Sequence, residues 1–511
     1  MVSPAAAPPP ALIPQFYAGR AVFITGATGF MGKVLVERLL ATCPAVDRLF
    51  LLIRRKKGVD AAQRLQEIKD SMIFSNIRQN SPLQLDKLML VQGDITEPGL
   101  GIQPDDFALM KNVSIVFHSA ATLKFDEALG AAVRQNLRPV LALLRVCDRL
   151  TQLEAFVYVS TAYSNAEHSH VAERVYAPRV PLAQLLALAD LPEHLLADFT
   201  ERYIAPKPNT YTFTKAMAEV AVEAHGCRLY PIAIFRPTIV VSSLSAPFPG
   251  WTEGVRGPGG VLLAAGEGVL HALKAKPEAK ADLLPVDMAV HTMMAVAWET
   301  AVDRSDTVRV YNCSGGAGPT WGWFERALRH NLRAHPLDAA VWYPSGVVLY
   351  KVLELCLQTV PLHLAEYTLN LLGIKHKLSF IAISNRLRAM NSALSFFTHR
   401  SWTFDTGNVT RLRARLTPRD AAIYNLDPAT IRWDEHNVNF VRGTRKYLLR
   451  EKDEDLPEAR RHMRRLYLTH IHTRTPRNII NKYLQTFTPF NLPLVLRTLD
   501  NGEIYFIDKY I

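Results

Sequence analysis

Tyr211 and Lys215 stand four residues apart in NTYTFTKAMAEVAVEAH, a stretch whose other residues read as an ordinary helix. At that spacing the two side chains share one helical face. The ammonium can then lower the ordinary phenolic pKa of about 10 and leave Tyr211 a usable proton donor. The same ammonium can hold a ribose hydroxyl. Upstream, VYVSTAYS brings two hydroxyls, Ser160 and Thr161, to the end of the strand FVYV. Ligands of open α/β sheets sit at that edge, where a hydroxyl can bind a carbonyl oxygen. In isolation, a tyrosine four residues before a lysine is a common surface pair, and two hydroxyls after a strand can simply cap it. A glycine-rich turn earlier in the chain makes coincidence harder to sustain.

That turn is TGATGFMG, in which Gly26, Gly29 and Gly32 lie between the strand AVFIT and a helix beginning around Met31. Glycines there let the backbone approach a pyrophosphate at the positive end of the helix. Alone, the pattern is only a tight turn; its place between strand and helix is what points to a dinucleotide. The next strand ends RLFLLIRRKKG. An acidic residue at its end would suit NAD, whereas a cation meets the extra phosphate of NADP, so the reading favours NADPH with Arg54 as its contact. Of the four consecutive cations, Lys56 and Lys57 read rather as a solvated loop, with Arg55 between the two roles. Asp94, after LMLVQG, can accept a hydrogen bond from an adenine amino group. The small residues of AAT (120–122) let a cofactor lie close.

These residues need a scaffold, and the sequence from residue 21 supplies one by alternating AVFIT, GKVLVERLLATC, RLFLLI, a helical stretch and LMLVQGD. Strand-like runs continue at SIVFHSA (114–120), AFVYVS (155–160) and IAIFRP (232–237). Such alternation predicts an α/β fold, a Rossmann-type doubly wound parallel sheet. After about residue 330 amphipathic and aromatic segments replace the strands, predicting a smaller, mainly helical C-terminal domain. The chain of 511 residues, 49% hydrophobic, can bury a large core. Its formal charge of +12 suits a phosphate-rich cofactor or an anionic membrane surface. Nucleic acid is not expected, because basic residues interleave with acidic ones and no recognition module is present. Five scattered cysteines with no CxxC predict neither a metal site nor a disulfide framework, and suit a reducing compartment. The opening MVSPAAAPPPALIPQF reads as a flexible leader rather than a secretory signal. No uncharged apolar run reaches the roughly 18 residues of a spanning helix. The nearest, 347–373, is interrupted by Lys351, Glu354 and Glu366.

Taken in order, TGxxGFxG at 25–32, the strand end LIR at 52–54, VFHSAAT at 116–122, VSTAY at 159–163, YxxxK at 211–215 and PVD at 285–287 resemble the extended short-chain dehydrogenase/reductase family. More narrowly they resemble the fatty acyl-CoA reductases. The likeness runs from FYAGRAVFITG to GTRKYLLRE, and FFTHRSWTFDTGNV with WDEHNVNFVRGTRKYLLRE resembles the helical "sterile" domain that accompanies such reductases. The resemblance implies a leader 1–16, an NADPH-binding reductase domain 17–335, a sterile-like domain 336–455 and a basic tail 456–511. It sets Thr161 opposite the family's catalytic serine, with Ser160 a close competitor, and implies Thr161, Tyr211 and Lys215 as the catalytic set. Cofactor contacts are implied for Thr25, Gly26, Thr28, Gly29, Phe30, Met31 and Gly32 of the turn. They are implied also for Arg54, Asp94, Ile95, Ala120, Ala121, Thr122, Tyr211 and Lys215, and for Pro237, Thr238 and Ile239. Two departures stand out: NLRPV retains Asn136 but puts Pro139 where the family has glycine, predicting a kinked helix, and LIRRKKG replaces LIRPKKG. The tail also lacks the long apolar anchors of several animal relatives.

The implied reaction is reduction of a long-chain acyl-CoA to the primary alcohol through an aldehyde, with two NADPH and release of CoA. The rival readings are a reductase of another lipid or of a sugar nucleotide, and a catalytically idle lipid-binding relative. PFPGWTEGVRGPGGVLLAAGEGVLHAL (247–273) resembles the family's substrate-lining region, and Arg256 is a cation available to CoA phosphates. The apolar stretch 347–373 with the basic RRHMRR predicts attachment to a membrane surface, endoplasmic reticulum or peroxisome, facing the cytosol.

Overall fold

The computed structural model describes residues 10–254, 257–266, 270–334, 347–373 and 379–452, with 454 and 457. Seven parallel strands form one sheet: β1 (Ala21–Thr25), β2 (Leu49–Ile53), β3 (Leu88–Gln92), β4 (Val113–His118), β5 (Ala155–Val159), β7 (Ile232–Pro237) and β10 (Arg309–Cys313). Their order is β10-β7-β5-β4-β1-β2-β3, every pairing parallel. The order reverses between β1 and β4, and at such a switch point the strand ends open a crevice. Helices cover both faces, so β1, β2, β4, β5 and β7 are buried along their whole length. That is why AVFI, LFLLI and IAIF are unbroken apolar runs rather than alternating ones. The expected doubly wound α/β sheet is therefore the observed one.

Two short parallel pairs tie the rest of the chain to this sheet. β6 (His170–Val171) pairs with β11 (Thr403–Phe404), and β8 (Ile239–Val241) with β9 (Leu283–Pro285). The buried Asn312 side chain donates to Val171 O at 3.1 Å and Asp405 O at 2.9 Å, joining β6, β10 and the C-terminal region. In that region the described residues are mainly helical.

Three local outcomes differ from the sequence reading. Residues 12–16 of the expected leader belong to α1 (Leu12–Tyr17), with Ile13 and Tyr17 fully buried. The Leu12 and Ile13 N–H groups donate to the Asp420 carboxylate at 2.9 and 3.0 Å, a partner some 400 residues away. The α2 helix (Phe30–Thr42) follows the glycine turn and α3 (Ala61–Asp70) follows β2. Next, the expected kink at Pro139 is a junction between two helices: α4 (Leu129–Asn136) ends, Leu137 bridges the two with right-handed helical dihedrals, and α5 (Arg138–Cys147) begins with Pro139 in its first turn, where the missing N–H costs nothing. Third, Val348–Leu371 forms a continuous helical stretch of 24 residues, long and apolar enough to cross a bilayer by length and composition, although the charges had argued against one.

Candidate active site

The glycine turn is built around close backbone approaches. Gly26 has φ +78°, and a Cβ there would fall 2.7 Å from Ala120 N. A Cβ on Gly32 would lie 2.2 Å from Gly26 O, so α2 can start against the turn only with glycine at that position. The N-cap Gly29 has no side chain to accept from the first turn, whose N–H groups are thus left for an acceptor from outside. The two glycines hold the ends of β1 and β4 together where the strand order reverses. Thr28 and Met31 are half-buried beside them, and the Phe30 ring stacks on Trp251 at 5.3 Å. This arrangement fits a dinucleotide pyrophosphate.

Around the turn the expected cofactor residues divide. Thr25 is fully buried, its hydroxyl 2.6 Å from His118 Nδ1 and accepting from Ala120 N–H at 3.4 Å, so it braces β1 against β4. Ala120 and Ala121 are half-buried at the mouth. Thr122 N–H donates to Asn136 Oδ1 at 2.9 Å, and Asn136 Nδ2 reaches Thr214 Oγ1 at 3.1 Å, which ties the loop after β4 to the helix that carries Tyr211. Arg54 and Asp94 meet each other: Arg54 Nη1 lies 3.1 Å from Asp94 Oδ2, while Thr96 N–H and Oγ1 donate to Asp94 Oδ1 at 3.0 and 2.9 Å. Ile95 packs on the core beside them. Arg55, the alternative cation, pairs instead with Asp60 at 3.0 Å. A cation the sequence reading passed over is Arg64, one turn into α3, whose Nη1 donates to Arg54 O at 2.5 Å. Its signal was its place in the helix that follows β2. At the other side, Pro237 ends β7 and Ile239 opens β8, but the hydroxyl of Thr238 between them donates to Asp282 Oδ1 at 2.9 Å, in the loop before β9. The PVD motif is also structural here: Asp287 accepts the N–H groups of Leu244, Ser245 and Ala246 at 2.8 to 2.9 Å.

The catalytic candidates converge at the end of β5. Helix α6 (Thr210–His225) is capped by Asn209, whose Oδ1 accepts from Thr212 N–H at 2.9 Å, and its first turn presents Tyr211. Thr161 is a neighbour of Tyr211; burial pushes the phenol above its ordinary value, and the Thr161 hydroxyl opposes that rise. Lys215, one turn on, is buried and donates to Val159 O at 2.6 Å, with its ammonium 4.6 Å from the Tyr158 ring centroid. Burial brings its pKa down to about 7, against the attraction of Glu219. Lys215 therefore sits under the strand end rather than against the phenol, and the lowering expected of it is outweighed by the desolvation of Tyr211.

Ser160 and Thr161 have separate fates. The Ser160 hydroxyl points inward and donates to Glu219, which also accepts from Ser164 Oγ at 3.0 Å and from Arg236 Nε and Nη2 at 2.9 and 2.6 Å. Glu219 and Arg236 are both fully buried, and Arg236 further holds Ala172 O and Arg174 O. With Ser160 committed to this pair, Thr161, which caps the following short helix by accepting from Tyr163 N–H at 3.3 Å, is the hydroxyl of the two that neighbours Tyr211.

An aromatic wall flanks the pair. Phe125 lies 5.6 Å from Tyr211 and 5.4 Å from Phe397, which continues to Tyr163 at 5.5 Å, itself 5.2 and 5.5 Å from Trp402 and Phe404. Trp402 and Phe404 also line a cavity of about 250 Å³ with Asp282, Ser314 and Lys280. None of the wall residues was singled out from the sequence, although FFTHRSWTF contains three of them. Arg256 lies outside the described residues, as do 267–269 of the expected substrate region and RRHMRR. Among the described residues no cluster has the makings of a metal site, and all five cysteines are free thiols.

An NAD-binding family model described as male sterility protein matches residues 24–293, and a second, the Sterile model with the same description, matches 357–451. The chain is 36% identical over 463 residues to fatty acyl-CoA reductase 1 of Rattus norvegicus, covering 89% of each. It is 36% identical over 468 residues to fatty acyl-CoA reductase 2 of Bos taurus, covering 90% of each. Among solved structures it is similar to the terminal R domain of the myxalamid PKS-NRPS pathway (TM-score 0.52, 17% identity, 84% of this chain and 91% of that one). It is also similar to the reductase domain of a Mycobacterium tuberculosis nonribosomal peptide synthetase (TM-score 0.54, 18% identity, 83% and 91%). At these identities the structural likeness bears on the fold alone.

Proposed function

The chain belongs to the fatty acyl-CoA reductase family, and on that premise we propose that it reduces long-chain acyl-CoA to the primary alcohol, releasing CoA, with NADPH as reductant. The observation that carries the reading is the convergence of Thr161, just past the end of β5, and Tyr211, in the first turn of α6, beside the glycine turn and against an aromatic wall. Bound NADPH would supply hydride, once to the thioester carbon and once to the aldehyde carbon. Thr161 and Tyr211 are placed to donate hydrogen bonds to the oxygen that gains charge in each reduction, and the phenol, held protonated by burial, can pass it a proton. Lys215 lies one turn below to stabilise the phenolate left behind and to meet a ribose hydroxyl. Arg54 and Arg64 would face the 2′-phosphate, with Asp94 turning Arg54 toward it. Phe125, Phe397 and Tyr163 offer an apolar surface to the acyl chain.

The same reading carries a division into a reductase domain to about residue 335 and a sterile-like domain to about 455. It also places the protein against the cytosolic face of the endoplasmic reticulum or peroxisome; the apolar helix Val348–Leu371 supports a membrane, and the organelle is set by fractionation. Incubation with acyl-CoAs of several lengths and NADPH, with products identified by mass spectrometry, tests the activity. Fatty alcohol and free CoA are expected; NADPH consumption without either would overturn it.

A further inference from the structure

Val348–Leu371 is amphipathic inside out. It comprises α9 (Val347–Glu354), a wide turn Leu355–Thr359 and α10 (Val360–Leu371), and leads into α11 (Phe380–Thr398). Its inward side holds polar groups among apolar ones: Gln358 is 1% exposed and accepts from His271 N–H at 3.4 Å, Glu354 lies 3.6 Å from Arg388, and Glu366 accepts from Ser379 Oγ at 2.9 Å and Ile381 N–H at 2.7 Å at the start of α11, while Leu362 and Leu369 pack inward beside them. The two acidic residues that interrupt the apolar run in sequence are thus turned inward. The outward face is apolar, with Val348 77%, Leu349 52%, Val352 51%, Leu355 53%, Leu364 39% and Leu371 87% exposed. In water this arrangement is the wrong way round. A surface that buries glutamine and displays leucine is matched by hydrocarbon.

We propose that α9 and α10 lie in the plane of a bilayer, with this outward face sunk into one leaflet, and that the apolar stripe of α11 leads the acyl chain from that leaflet to Tyr211. The proposal rests on the fatty acyl reductase reading for its substrate, and on the exposed face for its membrane. A spanning orientation is disfavoured because it would expose Glu354 and Glu366 to hydrocarbon and strip α11 of its cap. Charge agrees with an anionic surface: residues 456–511, beyond the last helix described, hold nine Lys and Arg against four Asp and Glu, a net +5. A second copy is the less fitting occupant, since the face is a single convex helix that also carries the exposed Lys351, whose stem can reach headgroups.

The route follows from α11 itself. Ile383, Leu387, Met390, Leu394 and Phe397 recur every three or four residues, one stripe along the helix. Ile383 and Leu387 pack with Leu362 of α10 and with Val261 and Ala264 of α7 (Pro258–Gly266), part of the expected substrate region. Phe397 reaches the aromatic wall beside Tyr211. Ten residues separate Leu387 from Phe397, about 15 Å of helix. That is about half of a hydrocarbon core of roughly 30 Å, the reach of one acyl chain.

The test uses the full chain and a variant with Leu355→Gln, Leu364→Gln and Leu371→Gln, which keeps helix-forming residues on the exposed face. Both are floated with phosphatidylcholine vesicles, with and without phosphatidylserine, and assayed with NADPH on a short-chain acyl-CoA in solution and on a long-chain acyl-CoA held in vesicles. Wild type is expected to float with both vesicle types, and the variant to lose about tenfold or more of its partitioning to each. Its turnover of the short-chain substrate should stay unchanged while that of the vesicle-held substrate falls. Equal flotation of the two proteins would overturn the proposal. So would loss of neutral-vesicle binding on deleting 456–511 with α9 and α10 intact, or a wild-type dimer that the substitutions dissociate. If wild type floats yet reduces no acyl-CoA, the catalytic reading fails and the membrane face stands.

Discussion

Replacing Ser160 and Thr161 one at a time separates two hydroxyls that are adjacent in sequence and opposite in role. Thr161→Val keeps the shape of a buried side chain but removes the hydroxyl that neighbours Tyr211. If Thr161 donates to the oxygen that gains charge, loss of one such donor costs about 10²- to 10³-fold in kcat, or about 3 to 4 kcal/mol. Ser160→Ala removes a hydroxyl that donates to Glu219, leaving that carboxylate with Ser164 and two nitrogens of Arg236. A bond to a buried charge contributes about 1.5 to 3 kcal/mol, so this change should appear in denaturant midpoint. Turnover should stay within about threefold of wild type, because Ser160 faces away from Tyr211. The assay is steady-state NADPH oxidation with a saturating acyl-CoA, beside urea unfolding of the same preparations. A Ser160→Ala protein that loses activity as Thr161→Val does, with stability unchanged, would refute the assignment.

Tyr211→Phe should remove nearly all turnover while leaving NADPH affinity, measured by fluorescence titration, largely intact; more than a tenth of wild-type kcat would place the acid elsewhere. With its pKa brought to about 7, Lys215 is charged below that pH and neutral above it, so kcat/KM for NADPH should fall as pH rises through about 7. For stability the sign is set by proton uptake: unfolded Lys215 stays protonated up to its ordinary 10.5, folded Lys215 only to about 7, so between the two stability rises with pH, and Lys215→Met should flatten that slope in urea melts. Arg54→Ala should lower the NADPH-over-NADH preference by about tenfold or more, and Arg64→Ala in the same direction, with little loss of stability since the Arg54–Asp94 pair is half exposed; an unchanged ratio in both variants would move the phosphate site.

What the sequence made legible is what period and spacing carry. Unbroken apolar runs separated by helical ones predict a parallel sheet covered on both faces, and the strands fall where those runs lie. The glycine turn is legible because a Cβ at Gly26 or Gly32 has nowhere to go, a constraint a single residue type records. What stayed hidden depends on partners far along the chain. α1 is ordered by Asp420, the aromatic wall is completed by Phe397, Trp402 and Phe404, and the inward turn of Glu354 and Glu366 needs α11 beneath them. In sequence those two glutamates argued against a membrane helix; in the fold they are what leaves the opposite face apolar.

The face of α6 shows the boundary between the two kinds of information. The spacing that sets Tyr211 and Lys215 on one stripe continues to Glu219, one further turn on. A carboxylate there could have been read as a partner for Lys215. Instead it is held by Arg236 from β7, and the Lys215 ammonium goes to Val159 O, so the cation lies beneath the strand end and the anion beneath Ser160. The pairing matters because a lone buried Glu219 would draw in a proton or pull Lys215 away from the strand. With Arg236 opposite it, the inner hydroxyl of β5 is fixed to the core, while the outer one accepts from Tyr163 N–H at 3.3 Å and stays on the side of Tyr211. The choice of Thr161 over Ser160 is therefore made by an arginine on the neighbouring strand, which no spacing within VSTAY or YxxxK contains.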